Sequence, residues 1–184
     1  MGHPTTGLDG KPEDLFYKHM FLDTAKIVDV VLAFPEVDET KAAATGASQG
    51  GALTVACAGL EPRIKMLAPV YPFLSDYKRV WEMDLAKDAY DELRYYFRKF
   101  DLLHERENEI FMKLGYIDIQ YLAPGIKGET LWTVGLMDNI CPPSTQFAAY
   151  NKITSKKSLQ VYPDYSHEYI PGLADRIFSF FATI

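Results

Sequence analysis

The most informative stretch of the sequence is Gly46-Ala47-Ser48-Gln49-Gly50, because it places a serine between two glycines where a strand is predicted to turn into a helix. Residues 41–45 are short and extended in character, and residues 49–60 carry apolar side chains at helical spacing. A sharp turn between them would hold Ser48 in a strained conformation, with glycines on both sides where a Cβ would clash. The stretch predicts a serine nucleophile whose hydroxyl stands clear of a sheet.

A second interpretation of the same stretch is that Ser48 caps the helix that follows it. A serine oxygen readily accepts hydrogen bonds from the first unpaired amides of a helix. At average residue frequencies, a chain of this length matches the glycine-serine-glycine pattern by chance about one time in twenty. A partner base and a partner acid are therefore needed before the motif indicates catalysis.

Composition restricts the classes of protein to which the chain can belong. The 184 residues are 48% hydrophobic, which suits one globular domain with a core, and the net charge is -6. No basic cluster could follow a phosphate backbone, so nucleic acid is not expected as a partner. No signal-peptide pattern and no apolar run long enough to span a bilayer occur, so we expect no membrane association and a cytoplasmic location.

Cysteine and histidine usage gives no metal or disulfide framework. Cys57 and Cys141 are too few for a disulfide scaffold and too far apart for a metal knuckle, and both are predicted to be small core residues. The four histidines contain no pair at ligand spacing such as i and i+4. The sequence therefore predicts no metal site and no cofactor.

Strands and helices alternate along the rest of the chain, which implies a parallel sheet with helices on its faces. One segment breaks the alternation, since no convincing strand occurs between Pro72 and Ala123 and a helical insertion is expected over about residues 73–122. An insertion near a nucleophile commonly caps the pocket or forms a subunit contact, but ordinary helix core is the favoured interpretation for most of its aromatic residues. The predicted strands are 41–45, 63–70, 131–135 and 159–162, and the predicted helices outside the insertion are 12–34, 49–60, 142–151 and 171–181.

Two further strand ends supply candidates for the base and the acid. Asp138 follows the strand 131–135, and His167 follows the strand 159–162. Catalytic groups of open parallel sheets cluster at the carboxyl ends of strands. The chain order serine, acid, histidine is that of the α/β-hydrolases. The alternatives are that Asp138 is a turn residue beside Asn139 and that His167 is a surface histidine.

These residue types suit acyl transfer. His167 would take the proton of the Ser48 hydroxyl as an acyl carbon is attacked, and Asp138 would fix the imidazole tautomer. The backbone N–H of Gln49, the residue after the nucleophile, is the expected oxyanion-hole donor. A second donor normally comes from a loop nearer the amino terminus.

Six blocks of residues are spread along nearly the whole chain. They are Ser48-Gln49-Gly50-Gly51, Tyr71-Pro72-Phe73-Leu74, Gly135-Leu136-Met137-Asp138, Cys141-Pro142-Pro143-Ser144-Thr145, Phe147-Ala148-Ala149-Tyr150-Asn151 and His167-Glu168. Together these blocks resemble the acetyl xylan esterase / cephalosporin C deacetylase family. The resemblance implies an α/β-hydrolase that removes acetyl groups from short acetylated sugars and from cephalosporin-type compounds, in intracellular enzymes that assemble as hexamers.

The resemblance also implies roles for single residues. Ser48, Asp138 and His167 fall on the triad positions of the family, and Gln49 falls on one of its oxyanion donors. The small acyl pocket would be lined by Phe73 and Ile140.

The sequence departs from the family pattern in three places. Gly50-Gly51-Ala52 replaces a run of three glycines, and Tyr165-Ser166-His167 replaces a more usual tyrosine-glycine-histidine. Only 47 residues precede Ser48, which leaves no room for the earlier strands of the family or for its tyrosine oxyanion donor. The chain is therefore expected to be the carboxyl-terminal part of a longer enzyme with impaired activity. The alternatives left open are a truncated non-catalytic fragment and a serine peptidase of the same fold.

Overall fold

The computed structural model describes residues 4–184, which form an α/β fold around one parallel sheet. The sheet has four strands in the order β1-β2-β3-β4, and each neighbouring pair is parallel. The strands are β1 Ala43–Ala47, β2 Met66–Val70, β3 Glu129–Gly135 and β4 Lys157–Tyr162. The helices are α1 Phe16–Leu32, α2 Gln49–Leu60, α3 Tyr77–Glu82, α4 Asp91–Phe100, α5 Glu107–Leu114, α6 Pro143–Lys152 and α7 Leu173–Phe181.

The predicted strands and the predicted helices outside the insertion are confirmed in type, while several of their ends move. The first strand begins at Ala43 instead of residue 41, because residues 39–41 form a 3-10 turn that the Asp38 carboxylate caps through the Thr40 N–H. The second strand begins at Met66, because a turn over residues 61–63 is held by the Glu61 carboxylate. Side-chain hydrogen bonds to the backbone thus decide where these two strands start.

The two central strands are almost wholly buried, whereas the strand that leads to Ser48 is not. Every residue of β2 is buried, and β3 is buried from Thr130 onward, as expected for parallel strands covered on both faces. Strand β1 lies at one edge of the sheet and alternates between exposed and half-buried residues. Within residues 4–184, no strand pairs with its outer side.

Helices and 3-10 turns occupy the long connection from β2 to β3. Its aromatic residues are largely core, since Tyr90 and Phe97 are fully buried and the Tyr90 ring packs edge-on against Phe73, 4.5 Å between centroids. Four of its aromatic residues are exceptions and are at least half exposed: Tyr95, Phe100, Tyr116 and Tyr121. Over the described part of the chain, no helix is both long and apolar enough to cross a membrane.

Candidate active site

Ser48 lies at the turn between β1 and α2 in a backbone conformation that L-residues rarely adopt. Its φ is 55° and its ψ is -117°, and a non-glycine residue held at positive φ costs about 1–3 kcal/mol. The side chain makes no capping hydrogen bond to α2. The interpretation of Ser48 as a helix cap is therefore wrong, and the strained turn predicted from the sequence is present.

Glycines make this turn possible, although not the two expected from the motif. A Cβ on Gly46 would lie 2.5 Å from the Gly50 carbonyl, so the expected clash is confirmed there. A Cβ on Gly50 would meet nothing within 4 Å, so that half of the expectation is wrong. The second close approach is at Gly51, where a Cβ would lie 2.9 Å from the Val70 carbonyl oxygen. The first turn of α2 therefore contacts the end of β2 at Gly51 and not at Gly50.

The backbone around Ser48 is held by the neighbouring strand end and leaves one amide available. The Ser48 N–H donates to the Val70 carbonyl (2.9 Å), and the Ser48 carbonyl accepts from Ala52 and Phe73 (3.0 Å each). The Gln49 N–H is the first donor of α2 and has no acceptor among residues 4–184. This amide is therefore available to a ligand, and its role as an oxyanion-hole donor stays a prediction.

Asp138 and His167, which are 29 residues apart, meet at the carboxyl ends of β3 and β4. The His167 Nδ1 lies 2.9 Å from Asp138 Oδ2, and the Asp138 side chain has no exposed surface. The other carboxylate oxygen, Oδ1, accepts from the N–H groups of Ile140 (2.9 Å) and Cys141 (2.8 Å). Asp138 is thus both the turn residue of the alternative interpretation and the partner of the histidine.

The loop that carries His167 docks on the end of β3. The Met137 N–H donates to the Tyr165 carbonyl (3.0 Å), and a Cβ on Gly135 would lie 2.5 Å from the same oxygen. Ser166, which departs from the family pattern, donates through its backbone N–H and its hydroxyl to Glu168 Oε1, and these hydrogen bonds lower the pKa of that carboxyl. The departure therefore adds a side-chain link within the histidine loop.

Sequence reasoning did not identify two residues that lie beside the candidate triad. Cys141 is fully buried, as expected of a core residue, but its thiol also lies within 4.8 Å of side-chain atoms of Asp138 and His167, and burial raises the pKa of this thiol. Tyr71, at a φ of 32°, packs its ring against the His167 imidazole at 4.6 Å between centroids. Both stand within blocks of the family resemblance, yet their contacts depend on loops that meet only through the fold.

Backbone N–H groups of Phe73 and Ile140 donate hydrogen bonds to residues of the candidate triad. The Phe73 N–H donates to the Ser48 carbonyl, and the Ile140 N–H donates to Asp138. Phe73 is buried and Ile140 is half-buried. Their role as the lining of an acyl pocket stays a prediction.

Comparison with known proteins identifies the relatives of the chain. The acetyl xylan esterase family model matches residues 1–184. Acetyl esterase Axe7A of Xylanibacter ruminicola is 30% identical over 166 residues, which are 90% of this chain and 36% of that protein.

Two solved structures are similar over the whole chain. The crystal structure of acetyl xylan esterase 1 from Thermoanaerobacterium sp. JW/SL YS485 has a TM-score of 0.97 and 55% identity, over 100% of this chain and 58% of that one. An acetyl xylan esterase from Paenibacillus sp. R4 has a TM-score of 0.94 and 38% identity, over 99% of this chain and 57% of that one. The chain thus spans less than two thirds of the length of these relatives. Its fold is that of the α/β-hydrolases, and the chain belongs to the acetyl xylan esterase family.

Proposed function

We propose that the protein is a serine esterase that removes acetyl groups from short acetylated sugars through an acyl-enzyme. The proposal rests on the 2.9 Å contact between His167 Nδ1 and the buried Asp138 carboxylate. This contact lies at the carboxyl ends of the strands, where Ser48 also occupies its strained turn. Such a contact is what a serine nucleophile needs from its base and acid. The family match favours acetyl esters as substrates.

The proton transfers of the proposed reaction follow from the contact between His167 and Asp138. With Asp138 accepting from Nδ1–H, the neutral imidazole of His167 leaves Nε2 free to take the Ser48 hydroxyl proton as the oxygen attacks the acetyl carbon. The Gln49 N–H donates to the oxyanion that forms. Nε2–H then protonates the departing sugar hydroxyl, and a water molecule, activated by Nε2 in turn, releases acetate and restores Ser48.

The finer substrate assignment is part of the proposal. The apolar side chains that line a small acetyl pocket would be those of Phe73 and Ile140, one beside the nucleophile and one beside the acid. Acetylated xylo-oligosaccharides and cephalosporin C-like esters both present an acetyl group on a bulky alcohol, so we propose both as substrates. We also propose a homo-oligomer, a hexamer by family resemblance, with the insertion among its contacts.

A second candidate function is a non-catalytic fragment, which the unpaired outer side of β1 favours because this strand leads directly to Ser48. Labelling with a fluorophosphonate separates the two. An active esterase gives a Ser48 adduct that Ser48→Ala lacks, and it hydrolyses p-nitrophenyl acetate much faster than the butyrate ester. The absence of both the adduct and hydrolysis in a folded protein would refute the esterase. Faster cleavage of peptide than of acetyl substrates would point to the peptidase alternative.

A further inference from the structure

We propose that Asp138, Cys141 and His167 form a site for a thiophilic divalent cation, Zn²⁺ in the first instance, which inhibits the enzyme by occupying its triad. The metal site stands on the geometry of these three residues. Its inhibitory consequence rests on the proposed esterase function, so the two are tested by separate measurements below. The expectation of no metal site came from histidine spacing along the chain, and such spacing cannot report ligands that meet through the fold.

The three side chains offer one carboxylate oxygen, one sulfur and one imidazole nitrogen within 4.8 Å of one another. Tetrahedral zinc with Zn–S of about 2.3 Å and Zn–N of about 2.0 Å needs its ligand atoms roughly 3.5 Å apart. No pair of these ligand atoms is more than 4.8 Å apart, but His167 Nδ1 and Asp138 Oδ2 are only 2.9 Å apart, so this pair must separate by about half an ångström to admit the ion. Asp138 and Cys141 lie in one loop and His167 in another, so a small shift of one loop relative to the other provides this separation. A water molecule completes four-coordination.

The charges of the site suit a buried dication. A Cys141 thiolate and the Asp138 carboxylate together balance two positive charges, so the loaded site is neutral where the side chains are shielded from water. A thiol is ordinarily protonated near neutral pH and loses its proton when it binds the cation. The His167 side chain, 19% exposed, is the member of the set that reaches solvent and gives a cation its access.

Metal binding at Nδ1 would remove the base. The proton that Nδ1 shares with Asp138 moves to Nε2, because a neutral imidazole that coordinates through one nitrogen carries its proton on the other. Nε2–H can no longer accept the Ser48 proton. The imidazole tautomerises without losing a proton and the thiol loses one, so each bound cation releases one proton to solvent.

Co²⁺ is the direct probe of the site, because a cobalt–thiolate bond produces a near-ultraviolet charge-transfer absorption. The parent chain should show this absorption, saturating at one Co²⁺ per chain and displaced by Zn²⁺. Cys141→Ala should abolish the absorption, and Cys141→Ser should weaken Zn²⁺ binding on the order of a hundredfold, because a hydroxyl replaces the thiolate ligand.

Cys57→Ala is the matched control, since Cys57 is also buried but lies on α2 with its thiol against the Thr24 carbonyl. It should leave the absorption intact. Circular dichroism checks that each variant folds. If Cys141→Ala does not fold, the test of the metal site rests on Cys141→Ser. No absorption in the parent chain, or an absorption that survives in Cys141→Ser and Cys141→Ala, would overturn the site.

The inhibitory consequence is read from the rate of fluorophosphonate labelling at Ser48, each variant being compared with its own metal-free rate. Zn²⁺ should slow labelling of the parent and of Cys57→Ala, and a chelator should restore it. Cobalt absorption without any labelling would refute the esterase and leave the metal site standing. Labelling that is unaffected by saturating Zn²⁺ would refute the inhibition.

Discussion

Substitution of single glycines in the turn around Ser48 gives a prediction with a built-in control. Gly46→Ala would place a Cβ 2.5 Å from the carbonyl carbon and oxygen of Gly50, which are backbone atoms and cannot rotate away. The end of β1 or the start of α2 must move, and forced overpacking of this kind costs about 1–3 kcal/mol of the free energy of unfolding. The strained backbone of Ser48 lies between these two glycines, so the same shift displaces the nucleophile.

Gly50→Ala meets no atom within 4 Å, and Gly50 lies in α2 at an ordinary helical φ. Alanine restricts the unfolded chain more than glycine does, so this variant should be unchanged or up to about 1 kcal/mol more stable. Urea denaturation followed by circular dichroism measures the difference, and labelling of Ser48 by a fluorophosphonate measures the displacement. Equal stability and equal labelling of the two variants would refute the argument that close backbone contact at Gly46 shapes the turn.

Two further predictions concern buried carboxylates. Asp138→Asn keeps an oxygen that accepts from the loop N–H groups but no longer holds the required tautomer of His167. Esterase kcat should therefore fall about ten-thousandfold with little loss of fold. A fall under tenfold in steady-state assays would contradict the assigned role. Burial raises the pKa of Asp118 to about 7, outweighing the hydrogen bonds from Gln120 and the Asp76 N–H that lower it. The folded state then holds a proton that the unfolded state has lost, so the free energy of unfolding should decrease between about pH 4 and pH 7 by on the order of 1–4 kcal/mol. Asp118→Asn should remove this slope in urea melts at each pH, and an unchanged slope would show that another group causes it.

The elements and the residues of the candidate triad could be proposed from the sequence because they depend on local patterns. Helix α2 is marked by apolar spacing and by the turn before it, and Asp138 and His167 by their place just after apolar runs. Element ends were less predictable. The start of β1 depends on a hydrogen bond from the Thr40 N–H to the Asp38 carboxylate, which no periodicity reveals.

The sequence alone indicates a serine at a strand-to-helix turn, with an acid and a histidine after later strands. That Gly51 rather than Gly50 permits the close approach to β2, and that the Cys141 thiol lies near Asp138 and His167, follows only from the packing of the folded chain. The carboxyl ends of parallel strands lie at the same end of a sheet, so residues that follow these strands can be placed together from the sequence alone. Contacts between loops depend instead on distances of a few ångströms, which are set by packing of segments far apart in sequence.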